Sequence, residues 1–215
     1  MSQPSSPRRA TCAACLRARS ACICRWVRPL AAPVELLVLQ HPLEVANAKN
    51  SARLLHLSVA GSVLEVGEAF DAARLDALLH AGGRQPVLLY PDTPDAPASL
   101  PLPEPGRIRL VVLDATWRKS RKMLYLNPAL QQLPRLALRD MPASNYRIRK
   151  AHAPDQLSTL EAAAHALGQL DGAPARYAPL FEAFAGFVGQ QAAFLPPDVS
   201  PDASPDAPSC APRLN

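Results

Sequence analysis

Residues 108–113 read Ile-Arg-Leu-Val-Val-Leu and end on a carboxylate, Asp114. An aliphatic run of this length, with almost no polar alternation, is a strand buried on both faces. Such a strand sits in a sheet covered by helices above and below. After Asp114 the chain turns at Ala115-Thr116 and becomes helical and basic, with Trp117, Arg118, Lys119, Arg121 and Lys122. A strand-to-helix turn is where open α/β sheets hold ligands, and the helix N-terminus there favours anions. Asp114 or Thr116 as a plain helix cap is the competing reading. Trp117 favours a ligand site, because it offers a flat face to a nucleobase, and the basic helix suits phosphates.

The remaining pattern repeats the theme. Residues 34–40, 62–66, 87–90 and 135–138 read as further strands, the first ending at His41-Pro42. Residues 70–81 and 176–195 read as amphipathic helices, the second with a core stripe of Tyr177, Phe181, Phe184 and Phe187. Pro128 marks a helix break. Ser158 with Glu161 forms a capping box ahead of Leu160, Ala164, Leu167 and Leu170. Residues 44–57 have mixed helical character, and Asn47, Lys49, Asn50, Ser51 and Arg53 bunch there, as a ligand-facing loop or a solvated helix face. Strands alternating with helices predict an α/β fold with a mainly parallel sheet. No glycine-rich dinucleotide fingerprint or Walker motif is present, which disfavours a dinucleotide fold or an NTPase.

At 215 residues the chain builds one main core with appendages. The expected division is a leader and cysteine knuckle over 1–30, a catalytic domain over 31–195, and a disordered Pro-rich tail over 196–215 that carries Cys210. No apolar run reaches membrane-spanning length, and the polar, basic start lacks a signal-peptide pattern. A cytoplasmic protein with reduced thiols is expected. Cys12, Cys15, Cys22 and Cys24 lie within thirteen residues and suit a tetrahedral zinc site of four thiolates. An iron–sulfur site or redox thiols are the alternatives. Four thiolates would leave no open coordination position, so the zinc would be structural, and the knuckle would display Arg17, Arg19, Arg25 and Arg28.

The net charge of +5 is unevenly spread. Residues 1–30 hold six arginines and no acid; residues 107–150 hold eleven Lys or Arg and two acids. That segregation points to a polyanionic partner, RNA above all. The basic stretch 144–150 has Tyr146 inside it, a pattern that suits a nucleoside or RNA.

Asp114-Ala115-Thr116-Trp117 resembles the signature of the DTW-domain family, the tRNA-uridine aminocarboxypropyltransferases. Four further stretches resemble it in the same order: the four cysteines; Gln40-His41-Pro42-x-Glu44 with Asn50-Ser51; Ser144-x-Tyr146-Arg147-Ile148-Arg149; and Leu157-Ser158-Thr159-x-Glu161-Ala162. The resemblance implies a SPOUT-like domain with a C-terminal trefoil knot. It implies S-adenosylmethionine as donor of its 3-amino-3-carboxypropyl group, with N3 of a tRNA uridine as acceptor. Asp114 would be the general base. Ser51, Leu113, Thr116, Tyr146, Leu157, Ser158 and Thr159 would line the donor pocket, and Trp117 would stack on adenine or support the wall. Arg118, Arg121, Lys122, Arg147 and Arg149 would hold the tRNA backbone. No obligate protein partner is evident. Two other functions fit the same residues: a SPOUT-type RNA methyltransferase using the same donor, and a non-catalytic zinc-containing RNA binder.

Overall fold

Continuous apolar strands need cover on both faces, and the fold supplies it. The computed structural model describes residues 10–92, 102–138, 141–142, 144 and 157–194. In chain order these form β1 (Glu35–Gln40), α1 (Ala52–Ser58), β2 (Val63–Val66), α2 (Ala72–His80), β3 (Gln85–Leu89) and β4 (Ile108–Asp114). There follow α3 (Trp117–Leu126), α4 (Pro128–Gln131), β5 (Arg135–Leu136), α5 (Thr159–Asp171) and α6 (Ala178–Ala192). The five strands make one sheet in the order β2-β1-β4-β3-β5, and every pairing is parallel.

The pleat sends alternate side chains to two cores. Leu36, Val38, Leu110 and Val112 join α1, α5 and α6 on one face, around Tyr177, Phe184 and Phe187. Leu37, Leu39, Leu88 and Val111 join α2, α3 and α4 on the other, around Leu79, Met123 and Leu130. The cysteine-bearing segment belongs to the first core, through Cys15 and Ile23.

Strand register explains where chemistry can sit. β1 and β4 are neighbours in register, with Gln40 opposite Asp114 at their C-terminal ends. From β1 the chain leaves through α1 to β2 on one side; from β4 it leaves through α3 and α4 to β5 on the other. Connections diverging from adjacent parallel strands open a crevice at the strand ends, the usual ligand position in open α/β sheets.

Two expected elements are shorter in the fold. Residues 44–57 supply only a 3-10 turn, Pro42–Glu44, and then α1 from Ala52. Between them Asn47 Oδ1 accepts from Lys49 N and Asn50 Oδ1 accepts from Ala52 N, so side chains take over backbone bonds that a longer helix would need. The strand expected at 135–138 pairs over two residues only. The tail at 196–215, with Cys210, lies outside the described residues.

A buried cation lies within the sheet. Arg109, 5% exposed on β4, donates to the carbonyl of Leu78 and to Glu35. Glu35 also pairs with Arg84 at 2.7 Å. Glu35→Ala would leave the Arg109 guanidinium buried without its counter-charge. It is expected to destabilise the fold by about 1–3 kcal/mol, read as a lower urea midpoint at unchanged m-value; an unchanged midpoint would show Arg84 and Arg109 to be solvated independently of Glu35.

Candidate active site

Asp114 ends β4 inside the crevice, and its carboxylate is 3% exposed. Three donors from three different segments hold it. Gln40 Nε2, at the end of β1, reaches Oδ2 at 2.8 Å, and Asn50 Nδ2 reaches the same oxygen at 2.6 Å. Thr159 Oγ1, the first residue of α5, donates to Oδ1 at 2.7 Å. Burial pushes this carboxyl above the ordinary value of 3.8; the donors from Gln40, Thr159 and Asn50 pull it back in part, and the nearby charge of Glu44 adds to the rise. Helix α3 begins after Thr116, which makes no side-chain cap bond. Asp114 is therefore not spent on capping, and the plain-cap reading is set aside.

The cleft over Asp114 encloses about 70 Å³ between Glu44, Asn47, Lys49, Asn50, Ser51 and the α5 start, Ser158-Thr159. Glu44, 5% exposed, is paired with Lys119 at 2.9 Å and accepts from Asn47 Nδ2 at 2.9 Å. Ser158 and Glu161 make both bonds of the capping box, and Ser51 Oγ accepts from Leu160 N at 3.2 Å. Those hydroxyls are thus engaged in holding α5 against the β1–α1 loop. They set the cleft's shape.

The four cysteine sulfurs lie within 4.8 Å of one another and could hold a metal ion. Cys12 Sγ stands 3.6 Å from Cys24 Sγ, and Cys15 Sγ stands 3.7 Å from Cys22 Sγ. Tetrahedral thiolates at ~2.3 Å from one ion stand ~3.8 Å apart, so the spacing fits four-sulfur coordination. The knuckle is seated on α6. Trp26 Nε1 donates to Gln190 Oε1 at 2.5 Å, and Gln190 Nε2 donates to the Cys22 carbonyl at 3.1 Å. The indole packs against Gly186, where any Cβ would collide with the ring. Of the four arginines expected on the knuckle's outer face, Arg19 and Arg25 are exposed. Arg28 is half-buried against the Arg25 and Val27 carbonyls, and Arg17 reaches the Ala48 and Asn50 carbonyls. A wider basin of about 370 Å³ lies between Arg19, Arg25 and Phe194. Among the described residues its walls hold no carboxylate or imidazole.

The DTW-domain family model matches residues 9–192, which includes the knuckle, the sheet and the cleft. The chain belongs to the DTW-domain family. Its curated DTW relatives include tRNA-uridine aminocarboxypropyltransferase 2 of Drosophila melanogaster, 31% identical over 173 residues, covering 78% of this chain and 69% of that protein. The proteins of the same name from Mus musculus and Macaca fascicularis are 27% and 26% identical over 183 residues, covering 76% of this chain. The chain spans 57% of the length of each of those two relatives. No solved structure matches.

The fold splits the DTW signature. Asp114 points into the cleft and Ala115 lines it, whereas Trp117 is 54% exposed with its ring edge-on to Tyr90 at 5.8 Å. Leu113, Thr116, Trp117 and Leu157 are not among the residues lining the cleft. Of the DTW basic helix, Arg118 and Arg121 are exposed, while Lys122 is paired with Glu68 at 2.8 Å. Tyr146, Arg147 and Arg149 lie outside the described residues. Sequence reasoning missed Gln40 as a partner of Asp114 and left Asn50 undecided. The signal for Gln40 was its place at the end of an apolar strand, level with the aspartate.

Proposed function

We propose that this chain transfers the 3-amino-3-carboxypropyl group of S-adenosylmethionine to N3 of a uridine in tRNA, releasing methylthioadenosine. The observation that carries the reading is Asp114: a buried carboxylate at a sheet switch point, held by three donors, with its pKa raised. A uridine N3–H is a weak acid, and a carboxylate shifted toward neutrality is a better base for it. Asp114 takes the N3 proton. The N3 lone pair then forms a bond to the methylene beside the sulfonium, the carbon–sulfur bond breaks, and its electron pair leaves on methylthioadenosine. The proton passes from Asp114 to water. Choice of that methylene over the methyl group is a matter of orientation, which the rigid seat made by Ser51, Ser158 and Thr159 supports. A nucleoside-sized ligand needs ~300 Å³ or more, so the cleft of about 70 Å³ is read as the reacting end of a longer site.

Trp117 is read as a stacking platform outside the cleft, with Leu113, Thr116, Leu157 and Tyr146 as further donor contacts. Arg118, Arg121, Lys122, Arg147 and Arg149 are read as tRNA contacts, joined by Arg19 and Arg25 across the knuckle basin. The knuckle would hold Zn²⁺, because four soft thiolates in a closed tetrahedral set suit that ion and leave no position for substrate. A SPOUT-like domain with a C-terminal trefoil knot, the domain division at 30/31 and 195/196, and a cytoplasmic location complete the reading. Among the described residues no helix is long and apolar enough to cross a membrane.

Mass spectrometry of products from the purified protein, S-adenosylmethionine and unmodified tRNA is the test. Methylthioadenosine in equal amount with an aminocarboxypropyl-uridine nucleoside is the expected result. Adenosylhomocysteine instead would establish methyl transfer, and no turnover with bulk tRNA would favour an RNA binder. Since the base must be ionised, turnover is expected to rise with pH through an inflection above the ordinary carboxylate value of 3.8 and then level.

A further inference from the structure

The β1–α1 loop that walls the cleft is held from outside the catalytic elements. Asn50 Nδ2 donates to Asp114 Oδ2 at 2.6 Å, and Asn50 Oδ1 accepts from Ala52 N at 2.9 Å. The backbone of that same residue is gripped by the knuckle: Arg17 donates one guanidinium nitrogen to the Asn50 carbonyl at 2.7 Å and another to the Ala48 carbonyl. The guanidinium also lies 5.2 Å from the centre of the Phe187 ring on α6. Arg17 thus bridges α6 and the loop, and Asn50 links it to Asp114.

The knuckle aims this side chain. Cys12 N donates to the Arg17 carbonyl at 2.8 Å and Leu16 N to the Cys12 carbonyl at 2.9 Å, closing the turn that carries Cys12 and Cys15. Leu16 adopts φ 60°, a left-handed conformation that leucine rarely takes. Strain of this kind persists where surrounding structure fixes it. Here it redirects the chain so that the residue after Leu16 turns inward to the loop.

We propose that Arg17 is a positioning residue for the Asp114 cleft, the link through which the four-cysteine knuckle holds the loop at residues 47–51 in donor-binding form. The assignment rests on the function proposed above for its kinetic consequence, and on geometry alone for its structural one. A fork of two nitrogens grips two carbonyls at once, which a lysine ammonium cannot reproduce. The metal-binding segment therefore sets the shape of the donor pocket, besides any contact it makes with RNA.

The test uses the full chain with its metal content measured, comparing wild type, Arg17→Ala and Arg17→Lys. Hydrogen exchange by mass spectrometry is expected to show exchange over residues 47–52 at least ~10-fold faster in Arg17→Ala, with the β3 segment unchanged. The metal content should stay that of wild type. In steady-state assays KM for S-adenosylmethionine is expected to rise about tenfold or more with a smaller change in kcat, and Arg17→Lys should recover only part of the loss. Removing the metal with a chelator should give wild type the same exchange signature and add little to Arg17→Ala. A metal-loaded Arg17→Ala with wild-type exchange over 47–52 would overturn the proposal. If wild type turns over no S-adenosylmethionine yet the exchange signature appears, the function fails and the role of Arg17 stands.

Discussion

Asp114→Asn is expected to lower kcat by about 100- to 10,000-fold, the usual worth of a positioned general base. The same variant should remain folded. An amide at 114 can turn its oxygen to the donors Gln40 Nε2 and Asn50 Nδ2, and its nitrogen to the hydroxyl of Thr159, so each contact of the carboxylate has a replacement. Stability gives an independent check with a definite sign. The folded-state pKa of Asp114 is raised, so its proton favours the fold, and that contribution is lost as pH rises through the folded-state value. Near neutrality Asp114→Asn should therefore melt at or above the wild-type temperature, and the two should converge as the pH is lowered and the wild-type carboxyl takes up its proton. A variant that is inactive and also strongly destabilised at neutral pH would make Asp114 a structural anchor. Full activity in Asp114→Asn would remove it from the reaction altogether.

With the Zn²⁺ proposed above bound at the knuckle, its removal is expected to have the largest effect on stability. An ion held at about a thousand times its dissociation constant contributes about 4 kcal/mol, which for a domain of this size corresponds to roughly 8–16 °C in melting temperature. The loss should spread beyond the knuckle, because Cys15 and Ile23 belong to the same core as Phe184 and Phe187. Differential scanning calorimetry of metal-loaded and chelated protein, with metal content measured on each sample, reads the shift. Equal melting temperatures for fully loaded and fully stripped samples would show that the thiols pack unaided. Cys22→Ser should resemble the chelated protein, since one hydroxyl among three thiols weakens four-sulfur coordination.

The sheet was legible because its strands carry aliphatic runs: residues 36–39 and 110–113 leave no polar alternation to suggest an exposed face. Asp114 was legible for a similar reason, as the lone carboxylate where such a run stops. The donors around it were less so. Gln40 and Asn50 are ordinary polar residues in sequence, and only strand register and the turn before α1 bring them onto one oxygen. Arg17 was misread as one of four displayed arginines, because composition reports charge but not direction, and a left-handed leucine leaves no signature in the sequence. Trp117 is adjacent to Asp114 in sequence but does not line its cleft: it is the first residue of α3 and is 54% exposed.

The seat of Trp26 on Gln190 joins residues 164 positions apart. A ribosome delivers the knuckle well before its seat. The paired centre of the sheet waits as well, because β1 aligns with β4 through residues such as Glu35 and Arg109. Contacts so distant along the chain slow folding, and until they form Ile23 and Trp26 have no apolar surface to cover them. An ion gathered early by four closely spaced cysteines would give the nascent N-terminus local order during that wait, before any part of the sheet exists to receive it.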